Sequence, residues 1–238
     1  MQSANHAHLG TEILLLAERL AGHSENPTGL TVTYLSLAHQ TVAAEIAGLM
    51  IGAGMSVRID AVGNVIGRYA AAEADAPVLM TGSHFDTVRQ AGRFDGRLGI
   101  LTPIVIVRHL HERGERLPFH LDVVAIAEEE GVRFGSSFFA SSALIGRFDP
   151  ARLEHRDADG VTMREAMRAA GLPGTAEAIA SCAVDTRRLL GYIEVHIEQG
   201  PTLLDRGLPL GVVTSIAGSV RARVVVTGEA GHAGTLPM

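Results

Sequence analysis

At 238 residues, with 47% hydrophobic and 19% charged residues, the chain is long enough for one large domain or two small ones and lacks the long charged or low-complexity runs of a disordered protein. A formal net charge of −6 without any basic stripe argues against nucleic acid as a partner and for a small molecule. Apolar runs such as PIVIV and VVAIA fall far short of the roughly 20 residues a membrane helix needs, MQSANHAHLG has neither the basic nor the apolar region of a signal peptide, and the lone Cys182 cannot form an internal disulfide, so the expected location is the cytoplasm, with no membrane partner.

In chain order, LGTEILLLAERLAGH and TVTYLSLAHQTVAAEIAGLMIGAG space their apolar residues at helical intervals, the second with Thr31 or Thr33 as its N-cap. Short β-type runs, MSVRID and NVIGRY, precede APVLMTG, whose unbroken apolar character predicts a strand covered on both faces. LGILTPIVIVRHLHERG reads as a helix with Pro103 tolerated in its first turn, and FHLDVVAIA as another buried strand. GSSFFASSALIG, TMREAMRAAGL and TAEAIASCA read as short helices, and LLGYIEVHIEQG as a return to strand. From about residue 211, Val-rich, Gly-punctuated alternation predicts antiparallel strands opening a second domain. Alternating helices and buried strands define an α/β protein.

Chemistry-bearing residues follow three of the buried strands, in GSHFDT, AIAEEEG and VHIEQG, where open α/β sheets place their ligand crevice. Imidazole and carboxylate together suit Zn2+, Mn2+, Co2+ or Ni2+, and a carboxylate can bridge two such ions. In EEE, Glu130 is assigned to metal and Glu129 to a general base, because adjacent residues at a strand end point in different directions. Asp86, two residues after His84 in an extended segment, is placed to hydrogen-bond the imidazole and fix its tautomer. One His or Asp in a glycine-rich turn is ordinarily only a turn residue. Acidic and imidazole groups at successive strand ends are different, because clustered carboxylates repel unless a cation joins them. GRFDGRLG lacks the spacing of a phosphate-binding loop, and GSSFFASSALIG has no GxSxG nucleophile elbow. His6, His8, His23, His39, His109, His111, His120 and His155 show no acidic partner at a telling position and read as surface or core residues.

GSHFDTVRQAGRFDGRLG, AIAEEEGVRFGSSFFASSALIG, GYIEVHIEQGPTLLDRGLPLGVV and VTGEAGHAGTLPM, in this order, closely resemble the allantoate amidohydrolase and N-carbamoyl-L-amino-acid hydrolase family of the binuclear-metal peptidase and acylase superfamily. The resemblance implies a mixed, mostly parallel sheet flanked by helices, as in zinc aminopeptidases, over residues 1–211, and the first strands of a smaller α+β lid and dimerisation domain over 212–238. It implies that His84, the bridging Asp95 and His196 hold one divalent ion, Mn2+ or Zn2+ with Co2+ or Ni2+ as alternatives, and that Asp95 and Glu130 hold a second. Glu129 then matches the general base, Asp86 the residue orienting His84, and Gln199 and His232 groups that meet the substrate, His232 from the smaller domain of a homodimer.

The implied reaction is hydrolysis of the terminal ureido group of allantoate, with an N-carbamoyl amino acid, a ureidopropionate or an acyl amino acid as the alternative substrate. Two departures stand out: Gly231 precedes His232 where the family usually has Asn, and the chain ends at Met238, before the further metal-ligating histidine that the family supplies. The expectation is therefore a truncated chain, and the rival from another class is a catalytically incomplete metal-binding fragment.

Overall fold

The structure, a computed structural model, describes residues 7–218, 220, 222 and 224–235. The chain divides into two compact units, Met1–Ile197 and Glu198–Met238. The first opens with helices α1 (Ala7–Ala21) and α2 (Leu37–Gly52), followed by strands β1 (Ser56–Ile59), β2 (Val65–Tyr69) and β3 (Val78–His84). Helix α3 (Arg97–Glu112) leads to β4 (His120–Ile126), short helices α4 (Phe139–Leu144), α5 (Met163–Ala169) and α6 (Ala176–Ala180), and strand β5 (Leu189–Ile193). The second unit contains α7 (Thr202–Asp205).

Five strands form one sheet in the order β1-β2-β4-β3-β5. Strands β3 and β4 pair in parallel, as do β3 and β5, whereas β1–β2 and β2–β4 are antiparallel. The sheet is thus mixed in equal parts rather than mostly parallel. Strands β1 and β2 are joined by a tight turn, in which the Asp60 carboxylate accepts the amides of Val62 and Asn64 at 3.0 and 2.9 Å. So short a connection permits only antiparallel pairing. Across β2–β4, Arg68 meets the carboxylate of Asp122 through two hydrogen bonds of 2.7 Å.

Helix α2 begins five residues later than Thr31 would place it. Ser36 is its N-cap, its Oγ accepting the His39 amide at 3.1 Å. Thr31 instead accepts the Gln90 amide and Thr33 donates to Glu25, tying this stretch to neighbouring loops, and Leu35 at φ 63° breaks any helical run before Ser36. Pro103 lies in the second turn of α3, not the first, and removes the donor that would reach the Gly99 carbonyl while its ring packs inward. His23 does have an acidic partner, Glu45, with Nε2 2.5 Å from Oε2, a contact between segments that local spacing does not show. One core joins both opening helices, α3 and the sheet, through Leu20, Ile46, Met50, Ile100, Leu101, Val65 and Val123.

In the second unit, the strands expected from residue 212 are not formed among the described residues. Val212, Ile216, Val220 and Val226 are nearly fully exposed. An alternating sequence becomes a strand only when a neighbour completes its hydrogen-bond ladder.

Candidate metal centre

Parallel pairing brings the carboxyl ends of β3, β4 and β5 to one edge of the sheet. His84, the last residue of β3, lies opposite Ile126, the last of β4, so the residues that follow each strand emerge side by side. The nearby chain is shaped by glycine. Gly96 adopts φ +66°, and a Cβ there would lie 2.3 Å from the His84 carbonyl oxygen and 2.7 Å from its ring. Gly99 similarly leaves room for the Val195 carbonyl, 2.5 Å from where a Cβ would sit. The bend carrying Asp95 can therefore close directly onto His84 and the segment leading to His196.

Two groups of candidate ligands result: His84, Asp95 and His196, and His84, Glu129 and Glu130, each with donor atoms within 4.8 Å of one another. The residue common to both groups is His84. The Nε2 atoms of His84 and His196 lie 3.8 and 3.4 Å from the same Asp95 oxygen, Oδ1. Their Nδ1 atoms face carbonyl oxygens, of Asp86 at 3.0 Å and Ile197 at 2.9 Å. A carbonyl only accepts, so Nδ1 carries the proton on each neutral ring and the Nε2 lone pairs converge on a carboxylate oxygen. Two lone pairs and an anion facing one another require a cation, and the nitrogen and oxygen donor set fits a divalent transition metal. On this test the residues fit the metal that the family resemblance implies.

Asp86 meets His84 through both its backbone and its carboxylate. Its backbone carbonyl takes the His84 hydrogen bond, while its carboxylate, 3.5 Å from Nδ1, accepts the amides of Glu129 and Glu130, each at 3.1 Å. One aspartate thereby fixes a ring on β3 and the backbone that presents both glutamates after β4.

The electrostatics express a crowd of negative charge. Burial and then Asp86 push Glu128 up to about 8, and burial and then Glu129 push Glu130 up to about 7. Glu129 is raised by burial, partly offset by His84. Burial lowers His84, but the hydrogen bond and charge of Asp86 outweigh it and carry the imidazole up to about 9. Protons and a metal ion would compete for the same donor atoms of this cluster.

Several residues here were not singled out by the sequence. Glu194 acts on Glu129 and accepts from the Ser83 hydroxyl at 2.5 Å; its place two residues before His196 in an extended segment was the available signal. Glu128, almost fully buried, accepts the Phe139 amide at 3.0 Å and shapes the bend after β4. Arg97, at the first position of α3, is completely buried, and burial lowers it to about 10. Gln199 and His232 belong to the second unit. There His232 opens a turn, its carbonyl accepting the Thr235 amide at 3.0 Å and its Nδ1 the Gly234 amide at 3.2 Å.

An α/β sheet with a histidine and carboxylate cluster at its parallel strand ends is the architecture of a metal-dependent hydrolase domain, and the model of peptidase family M28 matches residues 64–153. The allantoate deiminase of Arabidopsis thaliana is 40% identical over 234 residues, covering 98% of this chain and 45% of that protein. The N-carbamoyl-L-amino acid amidohydrolase of Geobacillus stearothermophilus is 40% identical over 216 residues, covering 90% of this chain and 52% of its own. A hydantoinase/carbamoylase family amidase from Burkholderia ambifaria has a crystal structure that superposes with a TM-score of 0.74 at 32% identity, over 83% of this chain and 48% of that one. The chain belongs to the family of allantoate deiminases and N-carbamoyl-L-amino-acid amidohydrolases, and it spans about half the length of the relatives it matches. Among the described residues no helix is long and apolar enough to cross a membrane.

Proposed function

We propose that this chain carries the metal-binding part of an amidohydrolase that cleaves the terminal ureido group of allantoate, releasing ammonia and carbon dioxide. The observation that carries the reading is the convergence of His84 Nε2 and His196 Nε2 on Asp95 Oδ1, beside Glu129 and Glu130 held by Asp86. His84, Asp95 and His196 would hold one divalent ion, Mn2+ or Zn2+, and Glu130 with Asp95 would hold a second. The bound ions would supply Lewis acidity, acidifying water and polarising the carbamoyl oxygen. Glu129, whose proton affinity burial raises, takes the proton of the attacking water and passes it to the leaving nitrogen. Asp86 keeps Glu129 and Glu130 in register with His84. Gln199 and His232 are assigned to the substrate on the family resemblance alone. Residues 1–211 are read as the catalytic part and those from 212 as the start of a smaller domain through which the protein dimerises.

Relatives of both kinds named above are 40% identical, so an N-carbamoyl-L-amino acid is the competing substrate. The whole protein, loaded with Mn2+ and given allantoate, ureidopropionate and a set of N-carbamoyl amino acids, should release ammonia fastest from allantoate. Faster release from a carbamoyl amino acid transfers the assignment to that substrate. No release from any of them, with metal bound, defeats the catalytic reading and leaves a metal-binding protein.

A further inference from the structure

Among the described residues, Arg97 is the largest side chain that the fold encloses completely. Its Nη2 reaches the Phe85 carbonyl only at 3.5 Å, and its Nε and Nη1 have no hydrogen-bond partner among the described residues. Burying a guanidinium with so little compensation is costly unless nearby negative charge offsets it. That charge is at hand, because Arg97 is attracted through space by Asp86, whose carboxylate clamps the amides of Glu129 and Glu130. The guanidinium thus reaches the carbonyl between His84 and Asp86, from an element, α3, whose first residue follows Asp95 by a single glycine.

We propose that Arg97 is a built-in counter-charge of the metal centre, a positioning residue that stabilises the crowded carboxylates when no metal is bound and so weakens the site's hold on divalent ions. This rests on the proposed function only in taking the cluster to bind metal. The geometry determines the sign. The Asp86 clamp is made to two backbone amides and does not pass through Arg97, so removing the guanidinium leaves the ligands presented. What is lost is a positive charge that repels an incoming dication and that, in the metal-free protein, substitutes for one. The consequence is a centre whose metal exchanges more readily than its ligand set alone would allow.

The test is calorimetric titration of Mn2+, and separately Zn2+, into the metal-stripped whole protein, comparing wild type with Arg97→Met, Arg97→Gln and Arg97→Lys. The neutral variants should bind Mn2+ about tenfold more tightly or better, and Arg97→Lys should stay near wild type, because it keeps the charge. Gln, which retains polarity, serves if Met does not fold. A purely structural Arg97 would leave affinity unchanged or lower it in the neutral variants, and either result overturns the inference while the proposed function stands. Absence of Mn2+ and Zn2+ binding by the wild type overturns the proposed function, and this inference with it.

Discussion

Glu129 and Glu130 are adjacent, both clamped through their amides by one aspartate, and assigned different work. If Glu129 moves the proton and Glu130 holds metal, Glu129→Gln should lower turnover by about 10²- to 10⁴-fold with bound metal retained. Measuring ammonia release alongside metal content decides it: equal losses of metal and activity would make Glu129 a ligand instead. Gly96 tests the geometry from the other side. Its positive φ and the 2.3 Å approach that a Cβ would make to the His84 backbone leave an added methyl no flexible neighbour to displace. Gly96→Ala should cost about 1–3 kcal/mol of stability and, by shifting His84, about 10- to 100-fold in metal affinity. Urea unfolding and metal titration would show it, and an alanine variant that binds metal like the wild type would contradict this account of the bend. At this scale, His84, Glu129, Glu130 and His196 stood out as candidates because strand-end placement is a local pattern, whereas Asp95 came from the resemblance. The dual role of Asp86 was not legible, since its carboxylate serves amides 43 residues away, and neither was Arg97, because nothing local shows that a charged residue opening a helix will be enclosed.

Among the elements, α2 and β4 are joined by a histidine that the sequence left as ordinary core. His39 Nε2 lies 2.7 Å from the Ala127 carbonyl just beyond β4, and the ring packs on Phe85 with 4.5 Å between centroids. Burial lowers its pKa from 6.5 to about 4, so the folded protein favours the neutral ring. Stability from this group is complete above the unfolded value near 6.5 and is lost as pH falls from there towards 4, because the unfolded chain takes up the proton first. Unfolding free energy should therefore drop by about 2 kcal/mol between pH 7 and pH 5 on account of His39, and His39→Gln should flatten that dependence by a similar amount. An equal pH slope in the variant would show that other groups carry it. The helices and strands themselves were readable from apolar periodicity, but the start of α2 was not: Thr31 and Thr33 are good caps in isolation, and only their bonds to Gln90 and Glu25 remove them from that role. The mixed sheet that the resemblance implied is present, but less parallel than implied, because the turn at Asp60 dictates antiparallel pairing for β1 and β2.

For the first unit as a whole, the candidate ligands come from the ends of three different strands and from the bend before α3, so ions at the two groups would together cross-link four stretches of chain that packing alone must otherwise hold together. The unfolded chain cannot bring those stretches to one point, and binding free energy becomes folding free energy. With free Mn2+ at a hundred times its dissociation constant, one ion adds about 2.7 kcal/mol, which for a unit of this size raises the melting temperature by roughly 5–10 °C. Thermal unfolding of the chelator-stripped protein, repeated after adding Mn2+, should show that rise, and the same protein carrying His84→Asn should not, since His84 is common to both ligand groups. Equal melting temperatures with and without Mn2+ would mean that the converging lone pairs are met by a proton alone. The raised His84 would then be a stabilising cation in its own right, and the cluster an ion-pair network of the fold.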